Sequence, residues 1–165
     1  MQLEIERRFF IKGNNWKEYI TESSFIEQGY LAASASGWII RIRSEKGKYK
    51  LALKKHIHRI SNYEFEYEIP CTEGKVIMSH VAQKIQKKRH YLLYKQQEWI
   101  IDCFEDANFP LKIAEIELQK ESDFIELPHF ISKEISGLKC LSNYQLAEKP
   151  INTWDKETKE RLLNY

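Results

Sequence analysis

The chain has 165 residues, enough for one domain with a substantial core, since two independent domains would each be small. Hydrophobic residues at 42% beside 30% charged exclude a disordered chain, and 26 basic against 24 acidic residues, a net charge of +2, exclude a global field that would attract nucleic acid or a membrane surface. Cys71, Cys103 and Cys140 lack CxxC spacing, and no apolar run approaches the roughly 20 residues that cross a bilayer, so the expectation is a single cytoplasmic domain over 1–165 with reduced thiols and no signal for an oligomeric state.

In chain order, residues 2–12 alternate in character and predict a strand. Gly13-Asn14-Asn15 supplies a turn, with Asn15 as the N-cap of a short helix from Trp16 to Ser23. Gln28 to Ala33, Trp38 to Ser44 and Lys48 to Lys55 predict further strands, with hairpin turns at Ser34-Ala35-Ser36-Gly37 and Glu45-Lys46-Gly47. Tyr63 to Pro70 is another strand. Val76, Ile77, Val81 and Ile85 recur near helical spacing and predict the longest internal helix, over 75–86. Lys87 to Tyr94, Glu98 to Glu105 and Ile113 to Gln119 complete seven or eight strands. Short helices are expected at Asp123 to Leu127 and His129 to Ile135, and a last one from Asp155 to Tyr165, capped by Thr153.

Residues two apart on a strand share a face. Glu4, Glu6 and Arg8 share one; so do Arg41 and Arg43; Lys50, Ala52 and Lys54; Glu64, Glu66 and Glu68; Lys87 and Arg89; and Glu115 and Glu117, with Asp102 charged on its own strand. Any one of these is what a solvated sheet face shows. Seven strands behaving alike fit better a sheet closed into a barrel, where charged faces converge on an interior and neutralise one another, a metal and a ligand. The apolar outer faces then need cover, for which the segments at 75–86 and 123–135 are amphipathic.

Arg8, Arg41, Arg43, Lys54, Lys87 and Arg89 suit several phosphate groups, so they are the candidate substrate-binding residues for a polyanion. The carboxylates are hard oxygen ligands with no Cys or His partner, which favours Mg²⁺ or Mn²⁺ over Zn²⁺. His56, His58, His80, His90 and His129 have no ligand spacing and are read as surface or core residues, as Lys133 and Glu134 are read as a solvated helix face. Tyr30 either reaches the interior or packs as an aromatic.

Glu4-Ile5-Glu6-Arg7-Arg8-Phe9 resembles the ExExK opening of the CYTH, or triphosphate tunnel metalloenzyme, superfamily. Gln28-Gly29-Tyr30-Leu31, Arg41-Ile42-Arg43, Leu51-Ala52-Leu53-Lys54, Glu64 to Pro70, Lys87-Lys88-Arg89, Trp99 to Asp102 and Ala114 to Leu118 follow in that family's order and spacing. The resemblance implies an α+β fold: a closed eight-stranded antiparallel β-barrel with helices packed outside, which hydrolyses or cyclises triphosphates with divalent metal. Two positions depart from the pattern. Arg8 stands where the family has Lys, and of the C-terminal Asp-x-Arg-Tyr-x-Asn only Asn143 clearly matches.

On this reading Glu4, Glu6, Glu66, Asp102, Glu115 and Glu117 are the candidate metal ligands and Glu6, Asp102 and Glu117 the candidate catalytic residues. One metal bridges phosphate oxygens, a second uses Asp102 to orient water, and the cations neutralise the transferring phosphoryl group. The partner is a triphosphate-containing small molecule, with inorganic triphosphate first. The alternatives are an organic triphosphate such as thiamine triphosphate or a nucleotide, a class IV adenylate cyclase reaction, and a non-catalytic polyphosphate-binding module.

Overall fold

The computed structural model describes residues 3–163. Nine strands and three α-helices follow in the order β1 (Leu3–Ile11), β2 (Ile20–Ala33), β3 (Trp38–Glu45), β4 (Lys48–His58), β5 (Ser61–Ile69), α1 (Cys71–Ser79), β6 (Gln83–Tyr94), β7 (Gln97–Phe104), β8 (Lys112–Glu117), β9 (Ile131–Glu134), α2 (Asn143–Glu148) and α3 (Lys156–Leu163). The sheet runs β5-β4-β3-β2-β6-β7-β8-β1-β9, and β5 also pairs with β1, so eight strands close into an antiparallel barrel. Closure is short. Leu3 to Ile5 of β1 pair with Tyr63 to Ser61, while the rest of that edge is taken by β9, with Phe9 opposite Glu134 and Ile11 opposite Ile131. The Lys46-Gly47 turn joins β3 to β4 with φ of 49° and 77°, the left-handed pair that a two-residue hairpin requires.

Apolar faces point outward as well as inward. Phe9, Leu92, Trp99, Ile101 and Ile116 are covered by Trp16, Ile125 and Phe130, whereas Ile42 and Val81 pack against Met78 of α1. A third cluster fills one end of the barrel: Phe10, Ile85, Phe104 and Ile113 meet Leu141, Leu146 and Ile151 from the C-terminal segment. The charged interior is thereby left with an apolar floor.

Several expectations are corrected. The helix over 75–86 ends at Ser79, because Gln83 to Lys87 alternate in register with β2 and Val81 packs over Gly29, where an added Cβ would lie 2.6 Å from Val81. The helix from Trp16 to Ser23 is a 3-10 turn at Asn15–Tyr19, entered at Asn14 without a side-chain cap, and Ile20 already begins the 14-residue strand β2. No helix forms at 123–135: the Asp123 carboxylate closes a turn by accepting from the Gln119 and Lys120 amides, Pro128 brings no N–H donor, and Ile131–Glu134 adds to β1. The last helix is capped by Asp155, which accepts from the Thr158 amide at 2.7 Å, and Thr153 bonds instead to the Pro150 carbonyl. Residue 2 of the first expected strand and residues 164–165 of the last expected helix lie outside the described residues. Among the described residues no helix is long and apolar enough to cross a membrane.

Gly74 sits where α1 crosses Tyr49, and a Cβ there would come within 2.2 Å of the ring. Gly74→Ala is therefore expected to lose about 1–3 kcal/mol by overpacking, although alanine favours a helix, and urea unfolding checks this.

Candidate active site

Strand alternation carries the charged side chains inward, and the barrel sorts them into two groups. The first lies on β1, β6, β7 and β8. Arg89 Nε donates to Asp102 Oδ1 at 2.8 Å and its Nη2 to Asp102 Oδ2 at 2.7 Å, with a further bond to Glu115 Oε2 at 3.2 Å. Lys87 Nζ also donates to Asp102 Oδ2. Arg8 Nε donates to Glu115 Oε1 at 3.1 Å. Asp102 and Lys87 are completely buried. Burial by itself would raise the Asp102 pKa, but the charges of Arg89 and Lys87 reverse that and hold it well below the ordinary value. Burial pushes Lys87 down to about 8, against the pull of Asp102.

The second group lies on β1, β3, β4 and β5. Lys54 Nζ pairs with Glu4 and stands 3.7 Å from Glu64 and 3.9 Å from Glu6. Arg41 Nη2 donates to Glu64 at 2.6 Å and Glu66 at 3.0 Å, and Lys50 donates to Glu66 at 2.7 Å. Three carboxylates thus crowd one ammonium. Burial, together with Glu6 and a hydrogen bond to Glu64, pushes Glu4 up to about 8 despite Lys54. For Glu64, burial is outweighed by that bond, Arg41 and Lys54, and its pKa falls to about 2. Glu117 stands directly opposite Glu6 in the β1–β8 register, and burial and the Glu6 charge raise its pKa.

Arg43 belongs to neither group. Among the described residues no carboxylate oxygen lies within 4.0 Å of it, and its Nε, like that of Arg41, is buried without a hydrogen-bond partner. Burial lowers its pKa, and Arg41 and Arg89 lower it further. Among the described residues this cation has other cations beside it, and the carboxylates that partly offset them, Glu66 and Glu64, act from beyond ion-pair distance.

The candidate metal ligands separate on the same evidence of pairing. Asp102, Glu115 and Glu66 each have both oxygens taken by cations. Glu6 and Glu117 are less saturated, whereas Glu4 pairs with Lys54 and accepts from the Asn62 amide at 3.1 Å. Among the described residues no three acidic, His or Cys side chains converge into a ready-made cage. The donor set therefore fits a hard cation held by one or two carboxylates, with substrate oxygens and water supplying the remaining ligands.

A cavity of about 520 Å³ opens at one end, lined by Glu6, Arg8, Tyr30, Arg41, Lys54 and the chain from Ser136 to Gln145. That capping segment reaches into the barrel. Arg8 Nη2 donates to the Leu141 carbonyl at 2.8 Å, Lys87 Nζ stands 3.4 Å from Asn143 Oδ1, and the Tyr144 ring meets Tyr30 edge-on at 5.3 Å. Tyr30 lines the interior, accepting from Gln28 at 2.8 Å, and burial pushes its pKa up to about 12. Glu134 lies on β9 and pairs with Arg7 through both oxygens. At the other side β7 and β8 part beyond Ile100 and Glu115, and a second opening of about 1010 Å³ exposes Glu117 and Tyr91. The sequence reading missed Ser136, Leu141 and Tyr144; Asn143 was its one signal there.

Comparison with known proteins agrees with this geometry. The CYTH domain family matches residues 2–149. An inorganic triphosphatase of Acetivibrio thermocellus is 32% identical over 152 residues, covering 91% of this chain and 96% of that protein. The crystal structure of the inorganic triphosphatase NE1496 superposes with a TM-score of 0.65 at 25% identity, covering 89% of this chain and 95% of that one. A putative adenylyl cyclase from Hippeastrum, described as having a dominant triphosphatase activity, shares the fold at 13% identity with a TM-score of 0.56, over 73% of this chain and 80% of its own.

Proposed function

This chain belongs to the CYTH domain family, and from that premise we propose that it hydrolyses inorganic triphosphate to diphosphate and phosphate inside the barrel, with Mg²⁺ or Mn²⁺. The observation that carries this is that Arg43, which among the described residues has no carboxylate oxygen within 4.0 Å, shares the barrel with Glu6 and Glu117, the carboxylates least engaged by cations. An anion-binding module has use for the first but not the second, because carboxylates weaken anion binding unless a cation intervenes. The relatives named as inorganic triphosphatases support the same substrate.

Glu6, with Glu117 or Glu4, would hold the metal, which when bound would shield phosphate charge and acidify water. Arg41, Arg43 and Lys54 bind and neutralise the phosphate oxygens, whose charge spreads as the terminal group departs. Asp102 and Glu115 act one step back, fixing Lys87, Arg89 and Arg8 by ion pairs, and Glu66 does the same for Arg41 and Lys50. In this proposal the three act on the cations in place of the metal-ligand roles expected of them.

Phosphate release should require added Mg²⁺ or Mn²⁺ and be faster with inorganic triphosphate than with ATP, thiamine triphosphate or long-chain polyphosphate. Glu6→Gln and Glu117→Gln should each lower kcat/KM by about 10²–10³ while leaving thermal stability near wild type. Turnover of none of the four substrates would leave a binding module as the better account.

A further inference from the structure

Arg8 occupies the position where the family pattern has lysine, and its fork is already in use. Nε donates to Glu115, Nη2 donates to the Leu141 carbonyl, and its backbone amide donates to Ser136 Oγ at 3.0 Å, while its carbonyl accepts from the Ile135 amide at 2.8 Å. A single side chain therefore joins the barrel wall to the capping segment over the cavity. Lys87 makes the same kind of reach toward Asn143. The acceptors the cap offers are a peptide carbonyl and a side-chain amide, both neutral. A phosphate oxygen is a charged acceptor, and charge-assisted bonds are roughly twice as strong as neutral ones. Arg8 lines the same cavity as Arg41 and Lys54, so a triphosphate held there competes for Nη2 without disturbing the Glu115 bond.

We propose that Arg8 is a positioning residue that straps the 136–145 cap to the tunnel, and that triphosphate loosens the cap by drawing Nη2 from the Leu141 carbonyl. Among the described residues no other donor reaches that carbonyl, so its loss is felt locally. Leu141 and Leu146 stay anchored in the apolar floor, which confines the loosening to the turns between them and Ser136. A lysine at this position carries the charge but not the fork, and cannot bridge Glu115 and Leu141 in the same way.

This inference rests on the triphosphate reading above. The test is hydrogen exchange of the full chain with Mg²⁺, with and without diimidotriphosphate, the analogue whose bridging nitrogens resist hydrolysis. Saturation should speed exchange of the amides of residues 138–142 about tenfold, the equivalent of one hydrogen bond, while β3 and β4 slow. Arg8→Lys should show the faster cap exchange before ligand is added and little further response to it. Cap amides that slow or stay unchanged while β3 and β4 slow would overturn the strap and leave the triphosphate reading standing, as would an Arg8→Lys cap that exchanges like wild type. No change in cap or barrel would overturn both.

Discussion

Asp102→Asn is expected to lower the unfolding free energy by about 3–5 kcal/mol, whether or not metal is present. Asp102 is completely buried and receives Lys87 Nζ and two nitrogens of Arg89. Asparagine keeps the shape but not the charge, and its amide nitrogen faces donors with a donor, so Lys87 loses the carboxylate it pairs with and Arg89 is left with Glu115. A carboxylate whose task was metal ligation would behave oppositely: its amide variant would fold normally and lose activity alone. The pH dependence gives a second reading. Because the folded pKa lies well below the ordinary 3.8, the stability Asp102 contributes is fully present above that value and is lost as pH falls beneath it. Wild-type stability should therefore fall more steeply than that of the variant below about pH 4, and urea unfolding across a pH series checks both statements.

Arg43→Met should separate stability from function in the other direction. Removing a cation that sits near Arg41 and Arg89, with no carboxylate within ion-pair distance among the described residues, is expected to leave the unliganded melting temperature unchanged or higher. The same substitution should lower kcat/KM for triphosphate by about 10²–10³, the usual cost of losing one preorganised group that meets developing charge. A variant that melts earlier and keeps its activity would show that Arg43 serves the fold. Arg41 offers the contrast: it pairs with Glu64 and Glu66, so its replacement should harm stability and activity together.

Much of the barrel was legible because a strand shows its two faces as alternate residues, and β4, β5 and β8 alternate charge with apolar side chains almost without interruption. The elements misread are those where spacing has two meanings. Val81 and Ile85 are four apart, which a helix and an extended chain entering a strand both satisfy, and the absence of a side chain at Gly29 decided between them. Ile20 to Ser23 was read with the preceding aromatic turn, though its partner is the His90 to Leu92 stretch some 70 positions away. The segment 123–135 has the right apolar content to cover the barrel and does so, through Ile125 and Phe130, without being helical.

The candidate site divides along the same line. Residue type and alternation determined which charges face inward, because a side chain's face follows from its place on the strand. They could not determine which carboxylates are consumed by cations. Glu115 and Glu117 are two positions apart and equivalent as sequence, yet Glu115 lies between Arg8 and Arg89 while Glu117 faces Glu6. Arg41 and Arg43 differ in the same way. Pairing inside a barrel depends on the stagger between strands, which is a property of closure, so only the tertiary structure distinguished the paired scaffold from the residues left to meet a phosphate and a metal.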